Sequence, residues 1–109
     1  MLADRLAGCA RVIVSADHGQ IRVSEERRHF LAPGDGVIAT LQAPPSGEPR
    51  NPVFHVKEDS HGAFAAAFRA RFGATWALLT VDEAAYLGLY GDEPLHPETR
   101  RRLGDFAGI

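Results

Sequence analysis

His61-Gly62-Ala63-Phe64-Ala65-Ala66-Ala67-Phe68-Arg69-Ala70-Arg71-Phe72-Gly73 is the stretch whose reading decides the fold. Phenylalanine returns at every fourth position, 64, 68 and 72, so on a helix the three rings stack into one stripe with Ala65 and Ala67 alongside. Asp59 or Ser60 can cap the helix start, and Gly73 ends it. Such a stripe is core rather than a cofactor box, because rings at this spacing lay a helix onto a sheet. Arg69 and Arg71 fall on the other side and read as solvated.

Working outward, Val53-Phe54-His55-Val56 reads as a strand, with Val53 and His55 on one face and Phe54 and Val56 on the other. After the helix, residues 76–81 form a second strand, and Asp82 caps a short helix that runs to Leu87 before Gly88. His96-Pro97-Glu98 places proline at the first position of a further helix over residues 99–103. Gly104 stops it, and residues 105–109 read as a last short strand. Residues 51–109 are therefore strand, helix, strand, helix, helix, strand. This alternation predicts an α/β fold, with helices packed on a small mixed sheet of roughly three to five strands.

The first half is less regular. Residues 2–6 suit a helical turn or two, ended by Gly8. Ile21 and Val23 alternate with Arg22 and Ser24 as in a short half-exposed strand, and residues 25–28 form a charged patch that reads as a solvated loop. Pro33, Gly34 and Gly36 mark a loop, while residues 37–41 fit either a short strand or a helical turn. Pro44-Pro45-Ser46-Gly47-Glu48-Pro49-Arg50 reads as a surface turn leading into a strand. A cap role for Ser46 and Arg50 toward an anionic substrate is the sharper but weaker reading.

The chain has 109 residues, 45% of them hydrophobic and 24% charged, which is ordinary for one compact soluble unit. A formal charge of -2 gives no electrostatic footprint for nucleic acid or an anionic membrane. A single cysteine, Cys9, excludes an internal disulfide and is expected to be a buried, inert thiol beside an apolar segment. With no secretory leader and no long apolar run, a cytoplasmic location is the default, although a targeting segment can be missing from a fragment.

One stretch carries chemistry. Arg11-Val12-Ile13-Val14-Ser15-Ala16-Asp17-His18-Gly19-Gln20 is a short β-branched run that stops in a carboxylate, an imidazole and a glycine. Residues 12–14 suit a strand buried on both faces of a parallel sheet, and ligands of open α/β sheets sit just beyond the carboxyl ends of such strands. Adjacent side chains point to opposite faces of a flat strand, so Asp17 and His18 can share one metal only where the backbone turns. Gly19 permits that turn. The plain alternative is a buried strand ending in a polar turn, with Asp17 capping backbone amides.

Val14-Ser15-Ala16-Asp17-His18-Gly19-Gln20 resembles the late metal-binding motif of the alkaline phosphatase superfamily, in its type I phosphodiesterase/nucleotide pyrophosphatase branch. The resemblance extends more weakly through residues 44–50 and through His96-Pro97-Glu98 to Arg102-Leu103-Gly104-Asp105. It implies a doubly wound catalytic domain in which a strand delivers Asp17 and His18 as metal ligands. The metals are two divalent ions per intact enzyme, zinc or else manganese. It also implies hydrolysis of phosphate mono- or diesters, with small nucleotide-type substrates.

The same resemblance implies parts that this chain does not supply. The nucleophilic Thr or Ser and the early ligands belong upstream of Met1, and the final His-Gly belongs after Ile109, so no catalytic residue is assigned here. His61-Gly62 reads as a helix start, and His29 and His96 have plain surface and helix-start explanations. The expectation is a fragment of a larger enzyme, inactive alone. Residues 1–20 would come from the catalytic core, residues 21–50 form a loop-rich connection, and residues 51–109 make an accessory α/β segment. An unpaired edge at residues 12–14 is expected to be sticky and to favour self-association. The rival from another class is a non-catalytic α/β module that binds a partner or small ligand, since three residues can match by chance.

Overall fold

The computed structural model describes every residue except Met1, Val12, His18, Asp92 and Glu93, with Leu2 and Ala3 as backbone alone. Its chain order is α1 (Leu2–Arg5), α2 (Gly36–Ala39), β1 (Ser46–Glu48), β2 (Asn51–Phe54), α3 (His61–Phe72), β3 (Leu78–Thr80), α4 (Val81–Tyr86), α5 (Pro97–Arg102) and β4 (Phe106–Gly108). Single 3-10 turns at Glu25–Arg27 and Glu58–Ser60 complete it. From residue 51 onward, this is the alternation expected from the sequence.

The four strands form one sheet in the order β1-β2-β4-β3. All three pairings are antiparallel. The expected mixed pairing is absent among the described strands because β4 lies between β2 and β3 and runs against both. β2 and β3 thus share a direction without touching. With α3 connecting them, they make a split β-α-β unit whose central slot is filled by the end of the chain.

The sheet and α3 enclose the core. The α3 stripe of Phe64, Phe68 and Phe72 is buried against Phe54, Val56, Leu78 and Phe106. Phe54 packs tilted on Phe64 at 5.1 Å and edge-on to Phe68 at 5.5 Å between ring centroids. Each buried aromatic ring contributes about 1.5–3 kcal/mol by leaving water. Helix α2 adds Val37 to the same cluster, so the ambiguous segment over residues 37–41 resolves as a helical turn, followed at Leu41 by a single bridge to Val56.

Local signals account for the ends of the elements. Asp35 caps α2 by accepting from the Val37 amide at 2.9 Å. Thr80, not Asp82, caps α4: its hydroxyl accepts from the Glu83 amide while Glu83 reaches back to the Thr80 amide, a closed capping box. His96 caps α5 through Nδ1, with Pro97 in the first turn. Ser60 precedes α3 but makes no side-chain cap; the Glu58–Ser60 turn leads into the helix instead.

The first twenty residues depart from expectation. Ile13 and Val14 belong to no strand and are 80% and 91% exposed. The strand expected over residues 12–14 is thus not met at the described positions, Val12 lying outside them. Ile21 and Val23 likewise lie outside any strand. The physical reason is shared: a buried parallel strand needs neighbours on both edges, and the sheet of this chain closes without them. Cys9 is exposed rather than buried for the same reason. The Cα radius of gyration is 19.5 Å, against about 13 Å for a compact chain of this length.

Candidate functional site

Asp17 lies in an exposed bend at the end of this run, and an added Cβ at Gly19 would meet nothing within 4 Å. His18 lies outside the described residues. A carboxylate and an imidazole are suitable donors for zinc or manganese. Among the described residues, however, no three His, Cys, Asp or Glu side chains converge to hold an ion. Two ligands are fewer than the three a catalytic zinc keeps, so these residues by themselves do not complete a metal site.

A polar cleft of about 410 Å³ opens where β2, α3, α5 and β4 meet, with His55, His61, Arg100 and Asp105 in its lining. Asp105 is its organising residue. Its amide donates to Phe54 O at 2.9 Å, its carbonyl accepts from the Val81 amide at 3.0 Å, and its Oδ2 accepts from the Val56 amide at 2.8 Å. Its other carboxylate oxygen faces His61 Nε2 at 3.6 Å. Gly104 makes this approach feasible: φ is +69°, and a Cβ there would stand 2.6 Å from Phe54 O. Arg100 donates to Gly104 O at 2.7 Å and to Asp82 at 3.0 Å, while Arg101 and Arg102 are both engaged by Glu98. Asp105 thus ties β4 to β2, and Arg100 ties α5 to α4. Sequence reasoning singled out Arg102-Leu103-Gly104-Asp105 only for its resemblance and missed this joint. The available signal was a glycine followed by a carboxylate at the start of a strand.

The second concavity is apolar. It lies between residues 21–31, the β1–β2 hairpin and α3, and has a volume of about 690 Å³. Phe30, Pro44, Pro45, Pro49, Pro52 and Trp76 line it, with Arg27, Arg28, His29 and Arg50 among them. Arg71, exposed as expected, also anchors one wall: it pairs with Asp35, donates to Phe30 O at 3.0 Å, and lies 5.0 Å from the Phe72 centroid. His29 packs edge-on against Phe72 at 5.3 Å, which gives it a structural place in this wall. Pro44-Pro45 and Pro49-Arg50, read as a plain surface turn, flank β1 and face this groove. Ile21 and Val23 also line it.

No family model, curated protein or solved structure matches this chain. Its functional reading rests on the residues themselves.

No helix among the described residues is long and apolar enough to cross a membrane.

Proposed function

We propose that this chain is part of a metal-dependent phosphoesterase of the type I phosphodiesterase/nucleotide pyrophosphatase kind, to which it contributes Asp17 and His18 as ligands of a divalent metal, zinc or manganese. The substrates are phosphate mono- or diesters of small, nucleotide-type molecules, and the enzyme acts in the cytoplasm. The observation that supports this reading is the exposure of Ile13 and Val14, at 80% and 91%, immediately before an exposed Asp17. Soluble proteins rarely leave a β-branched run in water without a use for it, and this run has the composition of a strand that belongs inside a larger parallel sheet. Set into such a sheet, it would carry Asp17 and His18 to the strand end, where α/β enzymes bind their ligands.

In this reading the accessory unit over residues 51–109 folds on its own aromatic core, and residues 1–20 take their neighbours from the rest of the enzyme. The chain alone holds too few ligands and no assigned nucleophile, so it should not turn over a diester. The test is made on the protein that carries this chain within its complete catalytic domain. Metal content and hydrolysis of bis(p-nitrophenyl) phosphate are measured together for wild type, Asp17→Asn and His18→Ala, with thermal melting as the control for folding. Each variant is expected to lose metal and activity while keeping its melting temperature. Full metal content and near-normal turnover in either would remove the basis of the proposal.

A further inference from the structure

We infer that the apolar groove between residues 21–31 and the β1–β2 hairpin binds a small organic anion with a flat aromatic body, at a site separate from Asp17 and His18. Its volume of about 690 Å³ falls within the roughly 300–1,000 Å³ of small-molecule pockets. The shape of its walls selects for flat, rigid bodies. Pro44, Pro45, Pro49 and Pro52 present fixed ring surfaces, and Phe30 and Trp76 present aromatic faces. Such side chains lose little conformational freedom when a ligand settles on them. Pro52 and Trp76 pack closely over Gly108, where an added Cβ would stand 3.3 Å from both.

Charge decides what kind of ligand fits. Arg27, Arg28, His29 and Arg50 line the groove, and no carboxylate does among the described residues. Arg28 is neutralised by Glu25 at 2.9 Å. Arg27 and Arg50 have no ion pair or hydrogen-bonded acceptor for their side chains among the described residues, in contrast to Arg71, Arg100, Arg101 and Arg102. Two unopposed guanidinium groups beside an apolar cavity favour an anion and disfavour a neutral or cationic ligand of the same shape. An apolar body without the anion would forgo this attraction; an inorganic anion without the body would forgo the burial. The ligand therefore needs both parts. The inference stands on the groove alone and does not depend on the metal-binding reading.

The chain contains one tryptophan, Trp76, so its N–H gives a lone indole signal in the nitrogen-15 spectrum. The full chain, in EDTA to exclude metal effects, is titrated with naphthalene-2-sulfonate, naphthalene-2-methanol and methanesulfonate. A saturable shift of the Trp76 indole is expected with the first, and binding at least about tenfold weaker with the other two. Arg27→Ala combined with Arg50→Ala should weaken the sulfonate by at least about tenfold. Both arginines are exposed, and the remaining spectrum reports whether the variant is folded. Asp17→Asn should leave the affinity unchanged. The inference is overturned by absence of a saturable shift up to about 10 mM, by equal affinity for alcohol and sulfonate, or by indifference to the double substitution. It is equally overturned if the indole shift follows protein concentration instead of ligand, which would assign the groove to a second copy of the chain. Loss of binding in Asp17→Asn would refute a separate site.

Discussion

Phe54 and Phe106 stand directly opposite each other across the β2–β4 pair, and each ring lies 5.1 Å from the ring of Phe64 on α3. That triangle joins two strands distant in sequence to the helix between them in one contact set. Phe68 extends it, 5.5 Å from Phe54, 5.9 Å from Phe64 and 5.1 Å from Phe72.

Phe68→Ala should therefore destabilise the protein by about 3–5 kcal/mol, the usual cost of emptying a buried phenylalanine site. Phe68 is 3% exposed, so the ring has no solvent-facing part to discount. Urea denaturation followed by circular dichroism reads this directly. An unchanged midpoint would contradict the packing described here.

Residues 51–109 were legible in the sequence because three local signals agreed there: fourfold phenylalanine spacing, β-branched flanks, and Gly or Pro at the ends of elements. The helix over residues 61–72 matches α3 at both ends. Pairing was less legible, since nothing in residues 105–109 says that they fill the slot between β2 and β3. The wall built by Arg71 and the joint at Asp105 were missed because both depend on partners far along the chain. Asp105 lies 49 positions from Val56, and Phe30 lies 41 from Arg71. For Val12-Ile13-Val14 the local signal pointed to a buried strand, but burial is a property of neighbours. Of the proposed metal pair, the sequence supplied the chemistry and the structure describes only Asp17.

Gly104 and Gly34 give a paired test of backbone geometry. Both have positive φ, +69° and +90°, but a Cβ on Gly34 meets nothing within 4 Å, whereas on Gly104 it meets Phe54 O at 2.6 Å. Gly34→Ala should cost about 1–2 kcal/mol from conformation alone. Gly104→Ala should cost clearly more, because the joint between β2 and β4 must also open. Equal denaturation midpoints for the two variants would contradict the close approach at Asp105.

Acid should weaken two helix ends together. The Glu83 carboxyl is held below its ordinary pKa mainly by the Thr80 amide, then by the Thr80 hydroxyl. Glu98 is lowered first by its hydrogen bond from Arg101. A carboxylate whose folded-state pKa is depressed stabilises above its unfolded pKa and loses that contribution as pH falls through the folded value. The melting temperature of Glu83→Gln should thus lie below wild type near pH 7, and the gap should close as pH falls through the depressed folded-state value. A gap that is constant with pH would show that the charge in the capping box contributes nothing.

The exposed run at Ile13 and Val14 should make the isolated chain self-associate, because an uncovered β-branched segment offers a pairing edge. Val14→Lys should suppress this while leaving the melting temperature unchanged, since the side chain makes no part of the core. Sedimentation velocity across a concentration series measures it. Association unaffected by the lysine would place the contact elsewhere on the molecule.

The central claim, that Asp17 and His18 are the metal-binding pair, is tested most directly by adding manganese to the nitrogen-15-labelled chain and following paramagnetic broadening residue by residue. The account predicts that the amides of residues 17–19 broaden first and at weak, sub-stoichiometric occupancy, and that Asp17→Asn or His18→Ala each removes the effect. Broadening that begins at other carboxylates, or that persists in both variants, would contradict the account and return the stretch to a polar turn.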